Sequence, residues 1–223
     1  MEQIFTKAWE YFKEHWKFLC IVSAIGMLVP ALLITIPMMT SMLASGVTDS
    51  SSAAAAAFTS IGLIGFIAII VMMVAMVGLI KAALIITKGG TPEARDLFLD
   101  FGTYLKGFIA MIVCGILMAI GGVLCVIPAF LVAFFVTLVP YEIIDNPNVG
   151  VIDSIKNSYN LIKSDWKTSA VVIVLGYIGV NVASYTGIGM IPAYPFLYLL
   201  FAVLYRQLKG QDTTQQFNNP PAY

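Results

Sequence analysis

The chain has 223 residues, of which 60% are apolar and only 11% charged, and its mean hydropathy is +0.92. An ordinary water-soluble domain is about one quarter charged, so this composition excludes that class and places the chain in a bilayer. Twelve basic and twelve acidic side chains cancel, which removes the basic footprint that a nucleic-acid partner needs.

A helix crosses a hydrocarbon core of about 30 Å with roughly 20 apolar residues, and six runs meet or approach that length. The first is 18–42, interrupted by Pro30 and Pro37, and the second is 58–87, free of charge until Lys81. The third, 105–127, carries Gly121 and Gly122 near its end, and Pro128 opens a short fourth run, 129–144. The fifth is 169–187, and a turn at Gly187-Ile188-Gly189 leads to the sixth, 191–208. The predicted fold is therefore all-α and polytopic, with six transmembrane helices arranged as three hairpins. Residues 1–208 form a single six-span domain, and 209–223 is expected to be a disordered polar tail. A charged amphipathic stretch precedes the first run, which is too long for the core of a secretory signal, so no cleavage is expected there.

If the six spans alternate, all twelve basic residues fall on one side: Lys7, Lys13 and Lys17, then Lys81, Lys88, Arg95 and Lys106, then Lys156, Lys163 and Lys167, then Arg206 and Lys209. The opposite side keeps only Asp49 among formal charges. The positive-inside rule then puts both termini in the cytoplasm, and a five- or seven-span count would scatter the lysines. The expected location is the cytoplasmic membrane.

The basic connectors also carry an apolar period. At 100° per residue Ile4, Phe5, Ala8, Trp9, Phe12 and Trp16 share one arc, which predicts an interfacial helix near 2–17. Ile155, Tyr159, Ile162 and Trp166 repeat the design near 149–166, and Lys13, Trp16 and Lys17 recur as Lys163, Trp166 and Lys167. A looser version near 92–104 uses Phe98 and Phe101, after a helix start at Thr91-Pro92-Glu93. The chain thus reads as three repeats of a surface helix and a hairpin. Trp9, Phe12, Trp16, Phe98, Phe101, Tyr159, Ile162 and Trp166 are its expected membrane-interface anchors. Their role is either anchoring alone or sensing of lipid or a cytosolic partner, and the alternation of lysines with acids argues against a polybasic lipid site.

Chemistry-bearing motifs are absent. The sequence has no GxSxG, HExxH or phosphate-binding loop, and His15 has no nucleophile or metal-ligand companion. Cys20, Cys114 and Cys125 lie in apolar runs and read as small hydrophobes. No catalytic residue, metal or cofactor is expected. Ionisable groups within a membrane are the default functional candidates, and here they are Lys81, Glu142 and Asp145, all shallow; an ion pair between Lys81 and Glu142 is one arrangement. The fifth span is the most polar, with Tyr177, Asn181 and Tyr185 four residues apart on one face and Asn181 near mid-bilayer. That face either lines a cavity or supplies interhelical hydrogen bonds.

The segment from Pro140 through Glu142, Asp145, Ser158 and Tyr159 to Trp166, entered from Ile127-Pro128, has a recognisable pattern. It resembles the six-helix bacterial and archaeal membrane proteins that include the membrane domain attached to some glycerophosphodiester phosphodiesterases and the related YciC-like proteins. In those families a proline ending span four leads to an acidic turn, then to a helix with a serine and an aromatic-basic end, matched here by Pro140, Asp145, Ser158 and Trp166-Lys167. Asp96-Leu97-Phe98 is also similar to theirs. The resemblance covers most of the chain but brings no phosphodiesterase domain, so that activity is not implied. It implies a polytopic protein acting in envelope homeostasis or export. The reading reached is a non-enzymatic accessory, scaffold or lipid-interacting protein whose partners are membrane lipids and a membrane or cytosolic protein. The alternative is a small permease or channel using the polar face of span five.

Overall fold

The computed structural model describes residues 2–45, 50–97, 101–124 and 126–210; among them there is no strand. The elements are α1 (Glu2–Ser45), α2 (Ser50–Thr87), a 3-10 turn (Ala94–Leu97), α3 (Phe101–Leu124), α4 (Val126–Val136), α5 (Val139–Asp145), α6 (Val151–Ser164), α7 (Trp166–Ser184) and α8 (Met190–Leu208). Among the described residues six stretches are long and apolar enough to cross a membrane: Glu2–Ile36, Ile64–Thr87, Phe101–Val123, Pro128–Asp145, Trp166–Ser184 and Met190–Leu208. The chain is an all-α polytopic membrane protein.

The three hairpins pack as expected, α1 on α2, α3 on α4 and α7 on α8. Two close approaches set their spacing. A side chain at Gly26 would place its Cβ 2.5 Å from the Cβ of Ala75, and one at Gly176 would meet Leu197 at 2.7 Å, so α1 meets α2 and α7 meets α8 through their small residues. The second hairpin joins the others differently. α5 packs against α2, whereas α2 and α3 hardly touch.

Pro140 explains the break in span four. Proline lacks an N–H and its ring clashes with the carbonyl four residues back, here Val136, the last residue of α4. The chain turns through Thr137 and Leu138, and α5 restarts with Pro140 in its first turn, where the missing donor costs nothing.

The centre of the molecule is α8. From Leu199 to Arg206 every side chain is buried, so this half-helix is enclosed on all sides. Ile4, Ala8, Tyr11 and Leu19 of α1, Leu79, Ile80, Ala82 and Ala83 of α2, and Val172 and Ile173 of α7 share its core.

The surface helices depart from expectation. The stretch 2–17 is not a separate element, because α1 runs unbroken through Lys17 and Phe18, where no glycine or proline stops helix propagation. Ile4 and Phe12, at 1% and 9% exposure, pack inside the protein instead of in headgroups. Within the stretch 92–104 the described residues form the 3-10 turn and the first residues of α3, and 98–100 lie outside them. Only the third, α6, is a helix of its own, and its buried stripe is Ser154, Ser158 and Ile162. Phe98 and the tail from residue 211 onward lie outside the described residues.

Candidate functional site

Glu142 and Asp145 stand one turn apart at the end of α5, and their carboxyls are 4% and 7% exposed. Burial of two acids in one turn is costly unless cations and hydrogen bonds compensate. Both are supplied. Glu142 Oε2 accepts from the Tyr205 hydroxyl at 2.6 Å and from Lys209 Nζ at 3.1 Å, while Oε1 accepts from the side-chain amides of Asn146 at 2.9 Å and Asn157 at 3.2 Å. Asp145 accepts from Lys88 Nζ at 2.7 Å and from Lys209 Nζ at 3.3 Å.

Lys209 completes its three donors on the Tyr205 oxygen at 2.6 Å. The Tyr205 hydroxyl also lies 3.1 Å from Asp145, but it has one proton, and the shorter contact to Glu142 takes it. Two carboxylates and two ammoniums make the cluster neutral. It ties α2, α5, α6 and α8 together at the end of the bundle where the lysine-bearing connectors meet, and Lys106 of α3 adds a bond to the Pro147 carbonyl beside it.

Chemically this is a saturated knot. Each carboxylate oxygen already has a donor, and no cluster of three His, Cys, Asp or Glu side chains suited to a metal occurs among the described residues. The cation paired with Glu142 at 3.1 Å is Lys209; Lys81 is partly buried on α2.

A cleft of about 310 Å³ lies against the knot, lined by Glu142, Asn157, Asn160, Ser164 and Lys209 together with Leu161 and Leu208. Arg206, one residue from Tyr205, is 5% exposed; its Nε has no partner, and no carboxylate among the described residues pairs with it.

The three polar residues of span five do not converge on a cavity. Helix α7 ends at Ser184, so Asn181 sits in its last turn and not at mid-span. Asn181 and Tyr185 face outward, Tyr185 at 90% exposure, and the Asn181 amide bonds the Tyr177 carbonyl of its own helix at 2.8 Å. Tyr177 alone acts as packing glue, meeting the Phe201 ring edge-on at 5.6 Å.

Of the expected anchors, Trp9, Trp16, Phe101, Tyr159 and Trp166 are exposed, whereas Phe12 and Ile162 belong to the core. Trp9 and Phe12 also form an aromatic trio with Phe196 of α8, each within 6.0 Å of it. The aligned pairs of the sequence repeat make the same contact: Lys13 stands 5.4 Å over Trp9, and Lys163 stands 5.7 Å over Tyr159. Cations over aromatic faces contribute about 0.5–1 kcal/mol at exposed sites.

Sequence reasoning found the two acids but missed Tyr205, Asn146, Asn157 and the pairing roles of Lys88 and Lys209. The available signal was the four-residue step from Tyr205 to Lys209 and from Glu142 to Asn146, which puts each pair on one helix face. No protein family, curated protein or solved structure matches the chain.

Proposed function

We propose that this is a non-enzymatic accessory or scaffold protein of the cytoplasmic membrane that interacts with lipid and holds a partner at its lysine-rich end. The observation that carries this reading is the state of its polar groups: the two buried acids are saturated in a neutral knot at one end, and Asn181 and Tyr185 point away from the bundle. A permease needs polar groups that converge on a path and exchange partners. The likeness to the YciC-like membrane proteins supports a role in envelope homeostasis or export.

Orientation follows from the positive-inside rule, with both termini in the cytoplasm. In a background with the native cysteines replaced, Arg95→Cys and Asn160→Cys should resist an impermeant maleimide in intact cells, and Ile188→Cys should react. Labelling of position 95 or 160 from outside reverses the topology and the reading with it.

Copurification in native lipid tests the function, and a protein recovered at fixed stoichiometry is the expected result. Recurrent recovery of a small solute would favour the permease. Asn181→Leu provides a second discriminator. Its amide is bonded within α7, and even hydrogen bonds between membrane helices average only about 0.6 kcal/mol, so the variant should accumulate normally and stay within about 1 kcal/mol of the parent. Partner recovery should be unchanged.

A further inference from the structure

The separation of α2 from α3 leaves a cavity of about 370 Å³ between them, closed at the back by α4 and α5. It is more than twice the roughly 150 Å³ that accepts a benzene in an engineered core, and it falls within the size range of natural ligand pockets. Close-packed interiors do not leave such a volume unfilled, because every wall atom forfeits its contacts.

Three observations identify what fills it. First, Met73, Met76, Met111 and Met118 line it, flexible thioethers that conform to a chain without a fixed shape. Met76 and Met111 are also surface-exposed, at 39% and 59%, so the cavity opens sideways within the apolar belt, where acyl chains are the surrounding solvent.

Second, hydroxyl chemistry is confined to one end of the wall: Thr103, in the first turn of α3, is its one hydroxyl-bearing residue. Lys106 lies one turn on, and its ammonium meets the neutral carbonyl of Pro147. No carboxylate among the described residues pairs with it, and a phosphate would complement its charge.

Third, the volume is small for a helix. An α-helix with its side chains is about 10–12 Å across and would fill the space with less than about one turn, so a helix of a second copy would lie over the mouth without entering the interior. A single hydrocarbon tail fits.

We propose that this cleft is a phospholipid site: it takes one acyl chain of a glycerophospholipid from the leaflet at the lysine-rich end, with Lys106 as the cation for the phosphate. The assignment rests on the lipid-interacting part of the function proposed above.

The test uses the full chain in nanodiscs of phosphatidylglycerol or phosphatidylcholine, doped with phosphatidylglycerol bearing a diazirine on its acyl tail. Crosslinks should concentrate on 73–77 and 107–118. Gly115→Leu should reduce them at least fivefold without lowering thermal stability, because a Cβ at Gly115 meets nothing within 4 Å. Lys106→Gln should keep the crosslinks but lose at least half of the preference for phosphatidylglycerol.

The wild-type chain supplies an independent measurement if Gly115→Leu fails to fold. Cys114 lines the cleft, so its alkylation by a small apolar maleimide should slow at least threefold when phosphatidylglycerol is added to delipidated protein, with Cys20 unaffected. Even crosslinking over the outer faces of α1, α3 and α7, crosslinks to a neighbouring copy, or Cys114 reactivity indifferent to lipid would overturn the proposal. Those results would leave the accessory reading intact if the protein partner still copurifies at fixed stoichiometry. A retained lipid site without such a partner would have the opposite meaning.

Discussion

Replacing Glu142 with glutamine should destabilise the protein by about 3 kcal/mol, near the lower end of what breaking a buried ion pair costs. The side chain keeps its shape, so the loss is electrostatic. The amide carbonyl can still accept from Asn146 and Asn157, but the amide nitrogen then faces the Tyr205 hydroxyl and Lys209 Nζ, two groups that now donate to Glu142 Oε2 at 2.6 and 3.1 Å. Of its two carboxylate partners Lys209 would retain only Asp145, beside its bond to the Tyr205 oxygen, and a net positive charge would remain where the knot is now neutral.

The lower end of the range applies because the Lys209 side chain is 25% exposed and partly hydrated. Thermal unfolding in detergent, paired with fluorescence-detected size exclusion, measures the effect. Glu142→Gln combined with Lys209→Met should recover about half of the loss, because the double change removes the uncompensated cation. If the single variant melts within a degree or two of the parent, the cluster is solvent-screened and does not tie the helices together.

The knot also shows what a sequence of this kind reveals. The spans and their pairing as hairpins were legible because the bilayer imposes a length and a polarity on every crossing, whatever the neighbours do. Which face of each helix meets protein was not legible. An apolar stripe has the same period against lipid as against a core, and the stripe through Ile4, Ala8 and Phe12 therefore read as a membrane anchor although it packs into the bundle.

Hydropathy misleads in a related way. The last span is the least hydropathic of the six and the most buried, at 56%, whereas α3 is more apolar and only 11% buried. A lipid-facing helix must be apolar around its circumference. A helix enclosed by protein can carry Tyr205 and Arg206, because the bundle shields both from hydrocarbon and gives Tyr205 a partner in Glu142. The polar face of span five attracted attention for the same reason that α8 escaped it: residue type was visible, and what each residue would face was not.

Packing around small residues gives the second large effect. Gly26→Ala adds a single methyl group, yet its Cβ would lie 2.5 Å from the Cβ of Ala75, far inside van der Waals contact. Neither atom can rotate away, since each is fixed by its helix backbone, so α1 and α2 must separate along the hairpin that holds Leu19 and Ile80 in the core. Overpacking costs about 1–3 kcal/mol, and the absence of a flexible neighbour places this variant near 2 kcal/mol.

The same substitution at Gly179 should behave oppositely. Nothing lies within 4 Å of a Cβ there, and exchanging glycine for alanine inside a helix gains about 0.5–1 kcal/mol in backbone entropy. Melting temperatures of the two variants should thus move in opposite directions from the parent. The swap Gly26→Ala with Ala75→Gly separates a steric clash from a loss of glycine flexibility. It restores the gap by moving the methyl from one helix to the other, so it should return most of the lost stability. If the swap melts no higher than Gly26→Ala alone, the α1–α2 contact is not set by the room between these two positions.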